Sequence, residues 1–411
     1  MILRDCRALD LTDEKGFLCG KILADLGADV IKVEKPGGDP SRRMGPFWGD
    51  IADREKSLYW FAYNSNKRGI TLNIETADGR EVFKKLARTS DFVIESFPPG
   101  YLETLGLGYS ALREIKEGII LTSITPFGQA GPYRDHQAPD IVVMGMAGLL
   151  YLTGDKDRPP VNISIPQACL HGGGDAAAGT MIAYYHRQRT GKGQQVDISM
   201  QQSTAWFLAT TIPFWELDGV ILGRAGTFRT GMSKDVVQRQ VWPCKDGYVF
   251  YAMLGGLTGA KTARQLVAWM DAEGKGNDYL RSIDWENFDM GTVTQKEMDQ
   301  ISNPIAEFLR VHTKKEILEE ALRRRMSICP LLSMQDLLND ANLKAREFWV
   351  EMDHPELKTK IPYPKQFVRS SENLTMARFR APLIGEHNEE IYREIGLSRQ
   401  DLVVLKQAGV I

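Results

Sequence analysis

The chain predicts an α/β fold built on a doubly wound parallel sheet. Short apolar runs with strand character recur at Cys6–Leu11, Asp29–Glu34, Gly69–Leu72, Asp91–Glu95 and Ile119–Ile124. Helical spacing lies between them, at Phe17–Leu26 and Ala77–Ala87. Strand, helix, strand in succession favours parallel pairing with right-handed crossovers. Ligand groups are then expected where the strands end.

In order, Asp13-Glu14-Lys15-Gly16 turns the first strand into its helix, and Gly27 ends that helix. Lys35–Asp50 reads as a loop rich in Pro, Gly and Arg. Leu102–Leu107 and Tyr109–Ile115 read as short helices, and Ile141–Leu152 as a buried helix too short to span a bilayer. Gln167–Met200 organises the middle of the chain. His171-Gly172-Gly173-Gly174 reads as a bend, Asp175 as the cap of an apolar helix, and Thr190-Gly191-Lys192-Gly193 as its stop before the strand QQVDIS. Gln201–Leu217 is expected to be helical and Arg224–Thr230 a polar loop. Gln238–Trp242 and Tyr248–Met253 read as strands joined by the Lys245-Asp246-Gly247 turn. Helices are expected at Lys261–Asp271, Tyr279–Asn287, Thr294–Arg310 and Lys314–Arg325. Thr294 with Glu297 forms a capping box, and Pro304 is expected to kink or divide its helix. The change of texture sets boundaries at 1–216, 217–329 and 330–411, the middle stretch being a smaller α+β domain carried inside the larger one.

Composition excludes several classes. With 51 Lys+Arg against 53 Asp+Glu, there is no general electrostatic case for nucleic acid or an anionic membrane. The five cysteines are odd in number and widely spaced, without CxxC, and read as reduced thiols in a cytoplasmic protein. The charged start MILRDCRALD is not a signal peptide. No GxGxxG follows the first strand, and no P-loop, GxSxG or HExxH occurs, so no metal site is expected.

The loop cations Arg42, Arg43, Lys67 and Arg68 suit phosphate; equally, they suit salt bridges. Phe97, after Ser96 in a Pro-Gly loop, suits an adenine pocket or the core. Cys169 and His171 suggest a thiol–imidazole pair, against a buried structural thiol. Asp175 is either a helix cap or a catalytic carboxylate.

Six stretches together resemble the family III CoA-transferases, the group of formyl-CoA and carnitine-related enzymes. They are LADLGADVIKVEKPGGDPSR (23–42), NSNKRGITLNI (64–74), FVIESFPPG (92–100), ITPFGQAGPY (124–133), RTGKGQQVDISM (189–200) and APLIGEHNEEIYREIG (381–396). The resemblance implies a large Rossmann-like domain with a smaller inserted domain, and two chains interlocked like links. CoA thioesters are then substrates, and no resident cofactor is implied. Carried over residue by residue, Arg42 would face the CoA phosphates, and Lys67, Ser96 and Phe97 would line the CoA site, Ser96 standing where a close relative has Asn. Thr104 stands where a phosphate-binding Arg is expected, and Gly255-Gly256 resembles the glycine loop that covers acyl intermediates.

The family's nucleophile is an aspartate that becomes covalently loaded with acyl and CoA groups. Counting back from Thr190 puts that position at Cys169, so the resemblance assigns no catalytic residue to this chain. One branch pairs unlike subunits of which one carries the aspartate, as in the benzylsuccinate CoA-transferase of anaerobic toluene breakdown. The chain is similar to its aspartate-free subunit. That implies an aspartate-bearing partner and CoA transfer from succinyl-CoA to an aromatic dicarboxylic acid. An acyl-CoA racemase or intramolecular CoA-transferase, with His171 and Asp175 as acid and base, and a non-catalytic CoA-binding scaffold stand as alternatives.

Overall fold

The computed structural model describes residues 2–230, 236–372 and 377–411. The chain forms two compact units, one of 1–149, 163–208 and 341–411, the other of 150–162 and 209–340. No helix among the described residues is long and apolar enough to cross a membrane.

The first unit carries β1 (Arg7–Leu11), α1 (Phe17–Asp25), β2 (Asp29–Glu34), α2 (Leu58–Asn64), β3 (Arg68–Thr71), α3 (Ala77–Arg88), β4 (Phe92–Glu95), α4 (Tyr101–Thr104), α5 (Tyr109–Ile115) and β5 (Ile120–Thr125). There follow α6 (Asp140–Met146), α7 (Leu149–Leu152), whose residues 150–152 belong to the second unit, α8 (Gln167–Thr190), β6 (Gln195–Ser199) and α9 (Met200–Trp206). The strands form one parallel sheet in the order β3-β2-β1-β4-β5-β6. The doubly wound expectation therefore holds, and the winding reverses between β1 and β4.

Strand alternation assigns the two faces. Leu9, Ile31, Ile70, Val93 and Leu121 join the core with Val82, Phe83 and Leu86 of α3. Asp10, Lys32 and Glu34 fall on the opposite face, fully buried. Buried charges of this kind survive only when paired. The C-terminal segment returns to the sheet edge, where His387 donates its amide to Gly69 O and Asn388 Nδ2 bonds Thr71.

The glycine bend expected at 171–174 is absent, because α8 runs unbroken through it. None of the three glycines takes a positive φ. They are there for close packing: a Cβ on Gly172 would lie 2.8 Å from Met200 Cγ, and one on Gly173 2.9 Å from Leu18 Cβ. Asp175 is therefore mid-helix and caps nothing. Gly191, at φ +75°, ends the helix as expected. The helix expected at Ile141–Leu152 is two short ones, and Ile141, Val142 and Met146 are exposed rather than buried.

In the second unit, Val241–Cys244, Gly247–Phe250 and Cys329–Leu331 form an antiparallel sheet. Trp242, Trp269 and Phe308 centre its core with the helices Gly256–Ala272 and Gln295–Arg310. The Thr294–Glu297 capping box forms, while Pro304 lies inside a helix that it does not divide. The helix expected at Tyr279–Asn287 stops at Ser282. Asp284 there accepts the amides of Glu286 and Asn287, a local arrangement that competes with helix. Phe228–Thr230, read as loop, pairs with Val237–Arg239. Gly255 is the N-cap of the helix that starts at Gly256.

Candidate active site

The reversal of winding between β1 and β4 leaves a crevice at their carboxyl ends, the place where open α/β sheets bind ligands. Two loops meet there. Ser96, just past β4, accepts the Asp13 amide at 2.9 Å and donates to Asp13 Oδ1 at 2.8 Å. Lys15 pairs with the same carboxylate. The Phe97 amide donates to Glu95 Oε2 at 2.7 Å, and the Phe97 ring packs on Tyr101 with centroids 4.8 Å apart.

The loop after β1 is held from beneath. Asp10 Oδ1 accepts the Thr12 amide at 3.0 Å, and Lys32 donates to Thr12 O. Lys67 reaches Asp10 Oδ2 at 2.8 Å, Asn64 Oδ1 at 2.9 Å and Phe17 O at 3.1 Å. Burial opposes the Asp10 charge, but Lys67 and Lys32 outweigh it and hold the carboxyl below its ordinary range. Burial pushes the Lys67 ammonium down, with Asp10 opposing the shift.

Of the four residues expected at a CoA site, Ser96 and Phe97 stand together at the crevice. Arg42 and Lys67 do not present themselves to a ligand. The Arg42 side chain has no accessible surface. Its fork grips Glu34 at 2.6 and 2.8 Å, Glu55 at 2.7 Å and Pro382 O at 2.9 Å, with the guanidinium 3.8 Å above the Trp60 ring. The salt-bridge reading of Arg42 is the one realised; the cation ties the N-terminal and C-terminal segments together. Arg68 opens β3, at the amino end of this edge strand, and pairs with Asp29, Glu390 and Glu394. Arg43 is exposed. Thr104 donates its hydroxyl to Tyr101 O at 2.7 Å.

A second cluster surrounds the start of α8. Pro166 gives this helix no side-chain cap. Asp140 supplies one from α6, accepting the amides of Gln167 at 3.2 Å and Cys169 at 2.9 Å. Cys169 is 4% exposed. Burial, and then the Asp140 carboxylate beside it, push the thiol well above its ordinary range; Glu14 adds to this and Lys15 opposes it. The thiol is thus kept protonated, the reverse of what a nucleophilic cysteine needs. Tyr59 and Tyr63, with ring centroids 4.9 Å apart, flank the cluster, and both feel Cys169 electrostatically.

Cys169 and His171 are two residues apart on a helix, about 200° around the axis, so they face opposite ways. The His171 ring packs on Phe207 with centroids 4.1 Å apart. The thiol–imidazole pair is therefore not formed. His171 and Asp175, four apart, share a face. Sequence reasoning missed Asp140 and Glu95. The Pro139-Asp140 start of α6 was the available signal for the first, but nothing local tied it to a helix 27 residues later.

A model of CoA-transferase family III matches residues 3–388. The chain belongs to this family. Among its relatives is the succinyl-CoA:(R)-benzylsuccinate CoA-transferase subunit BbsE of Thauera aromatica, 34% identical over 98% of this chain and 97% of that protein. Succinyl-CoA–D-citramalate CoA-transferase of Chloroflexus aurantiacus is 30% identical over 100% of this chain and 98% of that protein. Among solved structures, a CAIB/BAIF family protein from Brucella suis is 28% identical, with a TM-score of 0.80, covering 95% of this chain and 98% of that one. The family III fold and an enzyme of the CoA-transferase class are thereby established for this chain.

Proposed function

We propose that this family III CoA-transferase chain is the aspartate-free subunit of a heteromeric enzyme that moves CoA from succinyl-CoA to an aromatic dicarboxylic acid such as benzylsuccinate. The observation that carries the reading is Cys169: a buried thiol, not a carboxylate, stands at the position where the family resemblance places the nucleophile. Full-length similarity to a protein named as a benzylsuccinate CoA-transferase subunit supports the substrate and the subunit character.

On this reading a related partner subunit supplies the aspartate. Its carboxylate attacks the succinyl-CoA carbonyl, giving a mixed anhydride and free CoA thiolate. The thiolate then attacks the aspartyl carbonyl and releases succinate. The carboxylate of the incoming acid attacks the aspartyl-CoA thioester, and CoA finally attacks the new acyl anhydride, which restores the aspartate. Ser96 and Phe97 line the CoA site of this chain. Arg42 and Lys67 support it from within, by fixing the segments and loops around it. The exposed apolar groups Ile182 and Trp206, 70% and 74% accessible, favour burial against a partner chain. Free cysteines and a thioester substrate support a cytoplasmic location.

Co-expression with a related, aspartate-bearing chain, followed by a succinyl-CoA/benzylsuccinate assay, tests this. Transfer is expected only from the pair, with hydroxylamine trapping the partner's aspartate. Transfer by the isolated chain, with the adduct mapped inside it, would overturn the proposal. The shared face of His171 and Asp175 keeps the racemase reading as its competitor. That reading requires α-proton exchange in deuterated water by this chain alone.

A further inference from the structure

Glu95 is the last residue of β4 and lies directly beneath the crevice, 5% exposed. Its sheet partner across β5 is Ser123, whose hydroxyl bonds the carboxyl group. Its Oε2 accepts the Phe97 amide, two residues on. One buried carboxyl group therefore braces the turn that carries Ser96 and Phe97. The acidic groups facing it are Glu103 from α4 and Asp13 from the loop after β1, the latter paired with Lys15.

We propose that Glu95 is a positioning residue for the CoA thioester: by bridging Ser123 and the Phe97 amide, it sets the turn that presents Ser96 and Phe97 to the ligand. This rests on the CoA site proposed above. In the neutral form the carboxyl O–H turns to Ser123 while the second oxygen still accepts from Phe97, so the turn is complete without a negative charge. Ionised Glu95 keeps the turn but sets a carboxylate under a polyanionic ligand, with Asp13 and Glu103 already near. Burial first, then these acids, push its titration up to about 7, against the hydrogen bonds from Ser123 and Phe97 that pull it down. CoA binding accordingly takes up a proton near neutral pH, and affinity falls as pH rises through about 7.

The test is calorimetric titration of the full chain with CoA from acid to alkaline pH, for wild type, Glu95→Gln and Glu95→Ala. Succinyl-CoA KM and kcat of the assembled enzyme are measured alongside. Gln preserves the acceptor for Phe97 and a donor for Ser123 and cannot ionise. Glu95→Gln is expected to hold the wild-type low-pH affinity at high pH, about tenfold (about 1.4 kcal/mol) tighter than wild type there. Titration of the ligand's own phosphate is common to both proteins and cancels. Relative to Glu95→Gln, Glu95→Ala is expected to weaken CoA and raise KM about tenfold at every pH, with kcat changed less than about twofold. A Glu95→Gln protein that follows the wild-type pH curve, or a folded Glu95→Ala protein that binds like Glu95→Gln, would sink the inference. CoA binding without transfer in the assembly refutes the transferase reading alone; a chain and assembly that bind no CoA refute both.

Discussion

The glycines of α8 discriminate a packed helix from the bend that their sequence suggests. Alanine in a helix interior is favoured over glycine by about 1 kcal/mol. Steric cost then decides each position. A Cβ on Gly174 meets nothing within 4 Å, so Gly174→Ala is expected to stabilise the first unit by about 0.5–1 kcal/mol. A Cβ on Gly173 falls 2.9 Å from Leu18 Cβ and 3.4 Å from the Cys19 amide nitrogen, atoms fixed to a buried helix. Overpacking there costs about 1–3 kcal/mol, which exceeds the helical gain. On Gly172 the nearest atom is Met200 Cγ at 2.8 Å, part of a side chain that can move, so the change is expected to be near neutral or mildly destabilising. Urea denaturation followed by far-UV circular dichroism ranks the variants. The ranking of midpoints is the quantity to trust, since a chain of two units need not unfold in one step. The expected order is Gly174→Ala above wild type, Gly172→Ala close to it, and Gly173→Ala lowest. A bend with left-handed backbone would make all three substitutions costly, so a destabilised Gly174→Ala refutes the helix reading.

Cys169→Asp should confer succinyl-CoA-dependent transfer and a hydroxylamine-sensitive adduct on the isolated chain, with activity rising with pH because Asp140 and Glu14 oppose a new carboxylate; a folded, CoA-binding variant without transfer refutes the placement of the nucleophile position. Arg42→Met leaves Glu34 buried without its partner and should cost about 3–5 kcal/mol by denaturation, whereas a direct phosphate contact alone would raise KM with stability unchanged. Asp10, held below its ordinary range, contributes stability that is full above its unfolded value near 3.8 and is lost as pH falls through its lower folded value. Asp10→Asn should therefore flatten the acid limb of the stability curve and lower neutral-pH stability, because Lys67 loses its carboxylate partner and Lys32 keeps only Asp39; an unchanged acid limb would show that Asp10 is not the group responsible.

Much of the frame is legible in the sequence. Short buried runs and their alternation determine the strands, since a period of two decides which side chains face each layer. The same alternation places Asp10, Lys32 and Glu34 on one face, although only the fold shows that all three are buried there. Gly191 and the Thr294–Glu297 box mark helix ends by local chemistry that needs no tertiary partner. The run of three glycines misleads for the opposite reason: glycine permits a bend and also permits close packing, and Leu18 and Met200 decide between them from elsewhere in the chain. What only the tertiary structure decided is the site. Ser96 meets Asp13 across 83 residues, Pro382 meets Arg42 across 340, and Asp140 caps Cys169 across 29. A side chain's local pattern states what it can donate, accept or carry. Whether Arg42 grips a ligand or the protein depends on which carboxylates the folded chain brings within reach, and no periodicity records that.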